Sequence, residues 1–291
     1  MMNYENLSIG FIGAGRVGFT LGRYFYEKKL TLLGYFSQSY ESACEAADFT
    51  FSKSYKTIKE LAKESRLIFI TVPDSDIYDV YLQLKQYDLT DKILCHCSGA
   101  LSAEVFDGIE SLGAYGYSVH PALAVCDKLS SYREISNAFF TVEGSSEKMY
   151  VIEELFRKLG NPYQIISAEN KCKYHASLVM SSNLVIALYH IASGLLEECG
   201  FSDFTAQQVM TPLFLNNAQS VCDKGCSDAL TGPVDRNDIS TIEKHLSVLD
   251  NHSVSELYKL LSAELLKISR QKYLDRNYDE LENILSKELK I

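Results

Sequence analysis

The sequence predicts an α/β fold, a doubly wound and mainly parallel sheet, followed by an all-α part. Three observations carry this. From residue 7 to about 165, short apolar runs alternate with helical periodicities, the pattern of repeated βα units. Directly after the first run the chain reads Gly13-Ala14-Gly15-Arg16-Val17-Gly18, a break between strand and helix. Beyond about residue 170 only helical periodicity remains. With 291 residues, the chain has room for two domains at roughly 150 residues each. They are expected at 1–165 and 166–291.

Each element follows from its local pattern. Leu7 to Ile12 reads as the first strand, and Phe19, Leu21, Tyr24 and Phe25 are spaced for a helix behind the glycines. Leu30 to Phe36 is the second strand and Ala43 to Ala47 a helical patch. Ile58 to Lys63 reads as helix, Leu67 to Val72 as strand and Ile77 to Leu84 as helix. Ile93 to Cys97 is a strand, Ala103 to Ile109 a helix and Tyr115 to Val119 a strand. Phe139 to Val142 is a further strand, with a helix from about Glu147 to Leu159. One long helix is then expected from Ala168 to Glu198, capped by Ser167 and stopped at Gly200. Helices over Ala206 to Val221, Ile239 to Leu249 and Val254 to Leu289 follow, the last with a break near Asn277. Val254, Leu257, Leu261, Leu265 and Ile268 keep the 3.6-residue period.

Composition narrows the function. Hydrophobic residues make up 46% and charged residues 23%, which excludes a disordered or fibrous chain. The 38 acidic against 28 basic residues give a net charge of −10, which argues against sequence-independent nucleic-acid binding. A small anion in a local positive pocket remains compatible with it. No apolar run approaches the roughly 20 residues of a membrane span, and the first residues lack a basic region and an apolar stretch. A cytoplasmic protein with no membrane and no nucleic-acid partner is the expectation. The eight cysteines include no CxxC pair, so buried thiols in a reducing compartment are expected and no metal site.

The glycine cluster has a chemical reading. Gly13 allows a tight turn, Gly15 lets backbone approach a pyrophosphate, and Gly18 lets helix and strand pack closely. Ala14, Arg16 and Val17 complete the loop, whose helix N–H groups would face phosphate. A ligand-free tight turn is the alternative. At the end of the second strand, an Asp or Glu usually holds the ribose hydroxyls of NAD. Here Ser37-Gln38-Ser39 stands instead, which favours NADP over NAD, with Arg16 as partner of the extra phosphate or as a solvated side chain. No arginine follows Ser37. Val72-Pro73-Asp74, Ser98-Gly99 and His120 end three successive strands and so place small or polar groups at one rim.

The long helix carries Lys171, His175 and Ser182 within roughly 40° of one another, with Asn183 beside them and apolar residues on its other faces. A polar stripe on an apolar helix is costly unless used. Lys171 and Lys173 could equally be solvated in an exposed first turn. The segment Leu230-Thr231-Gly232-Pro233-Val234-Asp235-Arg236-Asn237-Asp238 turns the chain and displays Arg236 and Asp238. Asp238 or Ser240 would also serve as an ordinary N-cap.

Together, the glycine loop, the Thr71–Ile77 segment, His96-Cys97-Ser98-Gly99-Ala100, Ser118-Val119-His120-Pro121, Lys171 through His175 with Ser181-Ser182-Asn183, and Thr231 to Asp238 resemble one family. Its bacterial members pair a Rossmann-like domain with a helical domain known as domain of unknown function 2520. Gln38 and Asn237 depart from it, since the family often has Arg and Gly there. The family is similar in architecture to the 6-phosphogluconate dehydrogenase-like group, whose C-terminal helical domain the second part would share. That resemblance implies a nicotinamide cofactor, NADP or NAD, a small-molecule substrate between the domains and a homodimer formed through the helices. In related β-hydroxyacid dehydrogenases a lysine early in the long helix precedes an asparagine by one turn. Lys171 matches the lysine, and His175 stands at the asparagine position.

The expected function is an oxidoreductase moving a hydride to or from a small carbonyl, imine or alcohol. Lys171, His175 and His120 would be catalytic, and Ser182, Asn183, Arg236 and Asp238 would bind substrate. A non-catalytic NADP(H) sensor or scaffold is the rival reading, and a methyltransferase a more distant one.

Overall fold

The computed structural model describes residues 7–286. They form two compact units that divide between Ser182 and Asn183. The first holds β1 (Ile9–Ile12), α1 (Arg16–Glu27), β2 (Leu32–Phe36), α2 (Tyr40–Thr50), β3 (Lys53–Ser54), α3 (Ile58–Glu64) and β4 (Leu67–Ile70). It continues with α4 (Ile77–Leu84), β5 (Ile93–His96), β6 (Tyr115–Pro121), β7 (Phe140–Gly144), α5 (Met149–Leu159), β8 (Tyr163–Ile165) and α6 (Lys171–Ser181).

The eight strands make one sheet in the order β3-β2-β1-β4-β5-β6-β7-β8. Every pair is parallel except β6 and β7, which run antiparallel with His120 opposite Thr141 and Ser118 opposite Glu143. Alternation along the strands sends side chains into two cores. Phe11, Tyr35 and Phe69 stack on one face, with Phe25 edge-on to Phe69, all under α1 and α2. Ile12, Ile68 and Ile70 pack on the other with Ile58, Leu61 and Tyr81 of α3 and α4. Burial on both faces explains why β1, β4 and β5 read as unbroken apolar runs. α3 starts with a full capping box between Thr57 and Glu60.

Strand order reverses between β1 and β4, which opens a crevice at their C-terminal ends. Gly13 sits there with φ +103°, and a Cβ on it would lie 2.8 Å from the Thr71 backbone. A Cβ on Gly18 would lie 2.5 Å from the Gly13 carbonyl. The turn therefore needs both glycines.

The second unit comprises α7 (Asn183–Glu198), α8 (Asp203–Ala229), α9 (Pro233–Arg236), α10 (Ile239–Val248), α11 (His252–Lys272) and α12 (Asp279–Ser286). Its core is small: Val234, Ile242, Leu266, Tyr278, Leu281 and Leu285. No residue of α7 is buried. α8 contains Pro212 and is kinked at Gly225, whose φ is +79°.

Several local expectations change. The long helix from Ala168 is a 3-10 turn, then α6, then α7, because Ser182 leaves helical geometry (φ −127°, ψ −80°). The hydroxyls of Ser181 and Ser182 both donate to the Leu178 carbonyl, the back-bonding that bends helices. The stretch Ala168–Glu198 is nevertheless long and apolar enough, by length and composition, to cross a membrane. The helix expected over Ala103 to Ile109 is two 3-10 turns, 103–105 and 109–112, separated by Gly108 in left-handed conformation. α8 runs further at both ends than the Ala206 to Val221 pattern. The last helix is two, α11 and α12, parted over residues 273–278, and its expected end at 287–289 lies outside the described residues. β3 and β8, of two and three residues, have no clear sequence signal. The units divide after Ser182 instead of after residue 165, because α6 packs with the sheet unit.

Candidate functional site

The crevice at the end of β1 holds a cavity of 260 Å³ lined by Gly13, Ala14, Gly15, Ser37, Gln38, Ser42, Thr71, Val72, Pro73 and Asp76. The Thr71 hydroxyl donates to the Gly13 carbonyl at 2.9 Å and ties β4 to the loop. Gly15 caps α1 without a side-chain bond, and the first turn carries no acid. A Cβ on Gly15 would meet only the Thr71 carbonyl, at 3.9 Å, and its φ of −85° suits any residue. The fold thus does not require glycine at 15, while a ligand lying on the loop would. The loop and its donors fit the pyrophosphate of a dinucleotide.

Other expected cofactor contacts lie elsewhere. Val17 packs on the sheet core. Arg16 is exposed, and its charge reaches Asp127. The Ser39 hydroxyl caps α2 by accepting from Ser42 N–H and donates to Glu41 at 2.9 Å. Asp74 accepts from the Ser98 hydroxyl at 2.6 Å. That same Ser98 oxygen accepts from the N–H groups of Ala100 and Leu101.

A second cluster gathers at the ends of β5 and β6. A Cβ on Gly99 would lie 2.4 Å from His175 Cδ2 and 2.9 Å from His120 Nε2. Both imidazoles therefore press on the Gly99 backbone, their rings 6.2 Å apart and nearly perpendicular. His120 Nδ1 shares a 2.8 Å hydrogen bond with the Tyr174 hydroxyl. Lys171, at the start of α6, is 1% exposed, and its Nζ has no hydrogen-bond partner among the described residues. It lies 5.5 Å from the Tyr174 ring centroid. Lys173, by contrast, is exposed. The three expected catalytic residues, Lys171, His175 and His120, are thus brought together in one unit.

Burial sets the charges. It lowers Lys171 to about 8, against the opposing pull of Glu143, Cys97 and Asp74. It lowers His120 to about 3, with help from Lys171, His175 and His96. His96 falls to about 4 by burial. Its Nδ1 accepts from Ser98 N–H at 3.2 Å and its Nε2–H donates to the Ser102 carbonyl at 3.1 Å, which only a neutral ring does. Burial pushes the Cys97 thiol up to about 12. The cluster therefore holds an ammonium beside the neutral rings of His96 and His120, an arrangement able to stabilise charge developing on a substrate oxygen or nitrogen. Tyr174, His96 and Glu143 belong to it and were not singled out from the sequence.

Ser182 ends the first unit and Asn183 opens the second, and both are exposed. Asp238 is the N-cap of α10, accepting from Thr241 N–H at 3.1 Å and from its hydroxyl at 2.8 Å. Those bonds hold its carboxyl below the usual range and give it the N-cap role that is the alternative reading of this residue. Arg236 is exposed on a segment fixed from behind. Lys272 Nζ lies 3.3 Å from Asp235, Arg276 donates to the Asp235 carbonyl, and the Asn237 amide donates to the Asn277 carbonyl at 3.1 Å. Asn237 adopts φ +56°, a conformation glycine takes freely.

Comparison with known proteins bears on the whole chain. Residues 2–121 match the model of a Rossmann-like domain, and residues 138–265 that of the domain of unknown function DUF2520. A solved protein from Thermotoga maritima is 26% identical, with a TM-score of 0.75 over 91% of this chain and 99% of its own. A Bacteroides fragilis protein provisionally named an NADP oxidoreductase is 23% identical, with a TM-score of 0.66 over 91% of this chain and 100% of its own. An imine reductase from Pseudomonas sp. shares the fold at 16% identity, with a TM-score of 0.61 over 91% and 98%. Comparison with curated proteins finds no match. The chain thus carries a match to a Rossmann-like domain followed, in the same chain, by a match to a DUF2520 domain.

Proposed function

We propose that the protein is a nicotinamide-dependent reductase of a small polar substrate with a polarised C=N or C=O bond. The observation that carries this is the Lys171 amine, buried with no hydrogen-bond partner among the described residues and beside His120, His175 and Tyr174. Support comes from the glycine loop with an unfilled Cβ position at Gly15. Fold relatives named as an imine reductase and as a reductive aminase in complex with NADPH support the same class. NADPH is the proposed partner before NADH, because Ser37 and Gln38, and no carboxylate, follow β2 in the cavity.

A bound nicotinamide would supply the hydride. Gly13 and Gly15 leave room for its phosphates, and the open first turn of α1 offers N–H donors to them. Lys171 presents a charged amine where negative charge develops as the substrate bond is reduced, and passes it a proton. His120, neutral and bonded to Tyr174, fixes the phenol at the edge of the cluster. His175 closes the other side against Gly99.

The same reading includes a homodimer. α7 and α8 present Ile186, Leu213 and Leu215, each more than half exposed, an apolar area that single chains rarely leave to water. A second copy covering these helices is the proposed arrangement, read out by sedimentation equilibrium.

Calorimetric titration with NADPH and NADH tests the reading, followed by screening of imines and carbonyls for NADPH oxidation. Binding near micromolar Kd, lost in Gly15→Asp, together with turnover lowered about 10²-fold or more in Lys171→Ala, is the expected result. Binding without turnover of any substrate supports the NADP(H) sensor instead. Failure of the folded protein to bind either cofactor overturns both.

A further inference from the structure

Lys171 poses an electrostatic problem. An ammonium removed from water is costly unless a compensating charge stands near. The groups around it come from five elements. β5 and its end give His96 and Cys97, β6 gives His120, the turn before α4 gives Asp74, α6 itself gives Tyr174 and His175, and β7 gives Glu143. The His96 and His120 rings and the Cys97 thiol are neutral at ordinary pH, as derived above, and the carboxylates of the set are Asp74 and Glu143. Asp74 is exposed and bonded to Ser98, and water screens its field. Glu143 is 6% exposed. It sits opposite Ser118 inside the antiparallel β6–β7 pair, two residues from Thr141 and so on the same sheet face. Its Oε2 accepts from the Ala103 N–H at 2.6 Å. On that face His120, opposite Thr141, bonds the hydroxyl of Tyr174, one helical turn after Lys171 on α6.

We propose that Glu143 is the positioning residue that keeps the Lys171 amine charged, its buried carboxylate held in place by the Ala103 N–H. The two groups are mutually dependent. Burial pushes the Glu143 carboxyl up, and the Ala103 N–H and Lys171 draw it down. In turn, Glu143 is the leading opposition to the effect of burial on Lys171. The contribution of Glu143 to turnover rests on the reductase reading, whereas the charge coupling does not.

The test is an NMR titration of the Lys171 ¹⁵Nζ signal in the full-length protein, the signal being identified by its loss in Lys171→Arg. Glu143→Gln keeps the size and an acceptor for Ala103. Its Lys171 midpoint is expected to fall by about half a unit or more, a roughly threefold larger neutral fraction near pH 7. Asp74→Asn is expected to move the midpoint less, and Glu143→Asp, which keeps the charge, to hold it nearer the wild-type value. In an active enzyme the alkaline limb of kcat moves to lower pH by the same amount in Glu143→Gln. An unmoved midpoint in Glu143→Gln, or a larger shift in Asp74→Asn, overturns the proposal. A shifted midpoint in a protein without turnover leaves the coupling standing and removes the reductase reading. Turnover with an unmoved midpoint does the reverse.

Discussion

The sheet unit and the helical unit solve the burial problem differently. In the first, Phe11, Tyr35 and Phe69 are wholly buried, and helices cover both faces of the sheet. Among the described residues of the second, the core cluster gathers six buried side chains, while Ile186 and Leu213 are each 69% exposed. The sheet unit closes its own core, and the helical unit leaves apolar helix faces for something else to cover. The difference teaches where stability resides: within the chain in the first unit, and, on the dimer proposed above, partly in association in the second.

Substitutions of matched type sharpen this contrast. Phe11→Ala removes a ring that stacks on Tyr35 and Phe69 and is expected to cost about 3–5 kcal/mol, read by denaturant unfolding. Acid should act next, and on the sheet unit. His96 and His120 have pKa values of about 4 and 3 in the folded chain, below the 6.5 of an unfolded histidine. The unfolded chain therefore binds protons first, so stability is full above pH 6.5 and falls as the pH drops through 6.5 towards 4. His96→Gln should flatten that fall in a series of melting curves. In the helical unit, Asp238→Ala removes the α10 cap and is expected to cost about 1 kcal/mol. Leu213→Ser should change protomer stability by no more than about 0.5 kcal/mol yet weaken self-association in sedimentation. A large loss of protomer stability in Leu213→Ser would mean that the helical unit closes its own core after all.

The legible parts were those written in local pattern. The strand–glycine–helix unit stands in consecutive residues, and Lys171 and His175 one turn apart on an apolar helix mark themselves. The three strand ends bearing Val72, Gly99 and His120 follow from the parallel repeat. What escaped depended on distant partners. Glu143 ends an apolar run and reads as a solvated acid until the β6–β7 pairing buries it. His96 reads as a neighbour of two cysteines until the Ser98 and Ser102 backbone engages both of its nitrogens. The break at Ser182 has no proline or glycine to announce it, only hydroxyls that bond backward. Nothing in the sequence around Tyr174 announces the His120 ring, 54 residues earlier, that meets its hydroxyl.

Gly15 separates two properties that usually fail together. Because nothing in the folded chain occupies its Cβ position and its backbone angles suit any residue, Gly15→Ala should melt like the parent without added ligand. With ligand, the two should part company, the parent rising by RT ln(1 + [L]/Kd) and the alanine form lagging behind. One methyl group thus turns the protein into its own apo reference, and a thermal ramp becomes an assay for whatever small molecule the loop was shaped to hold.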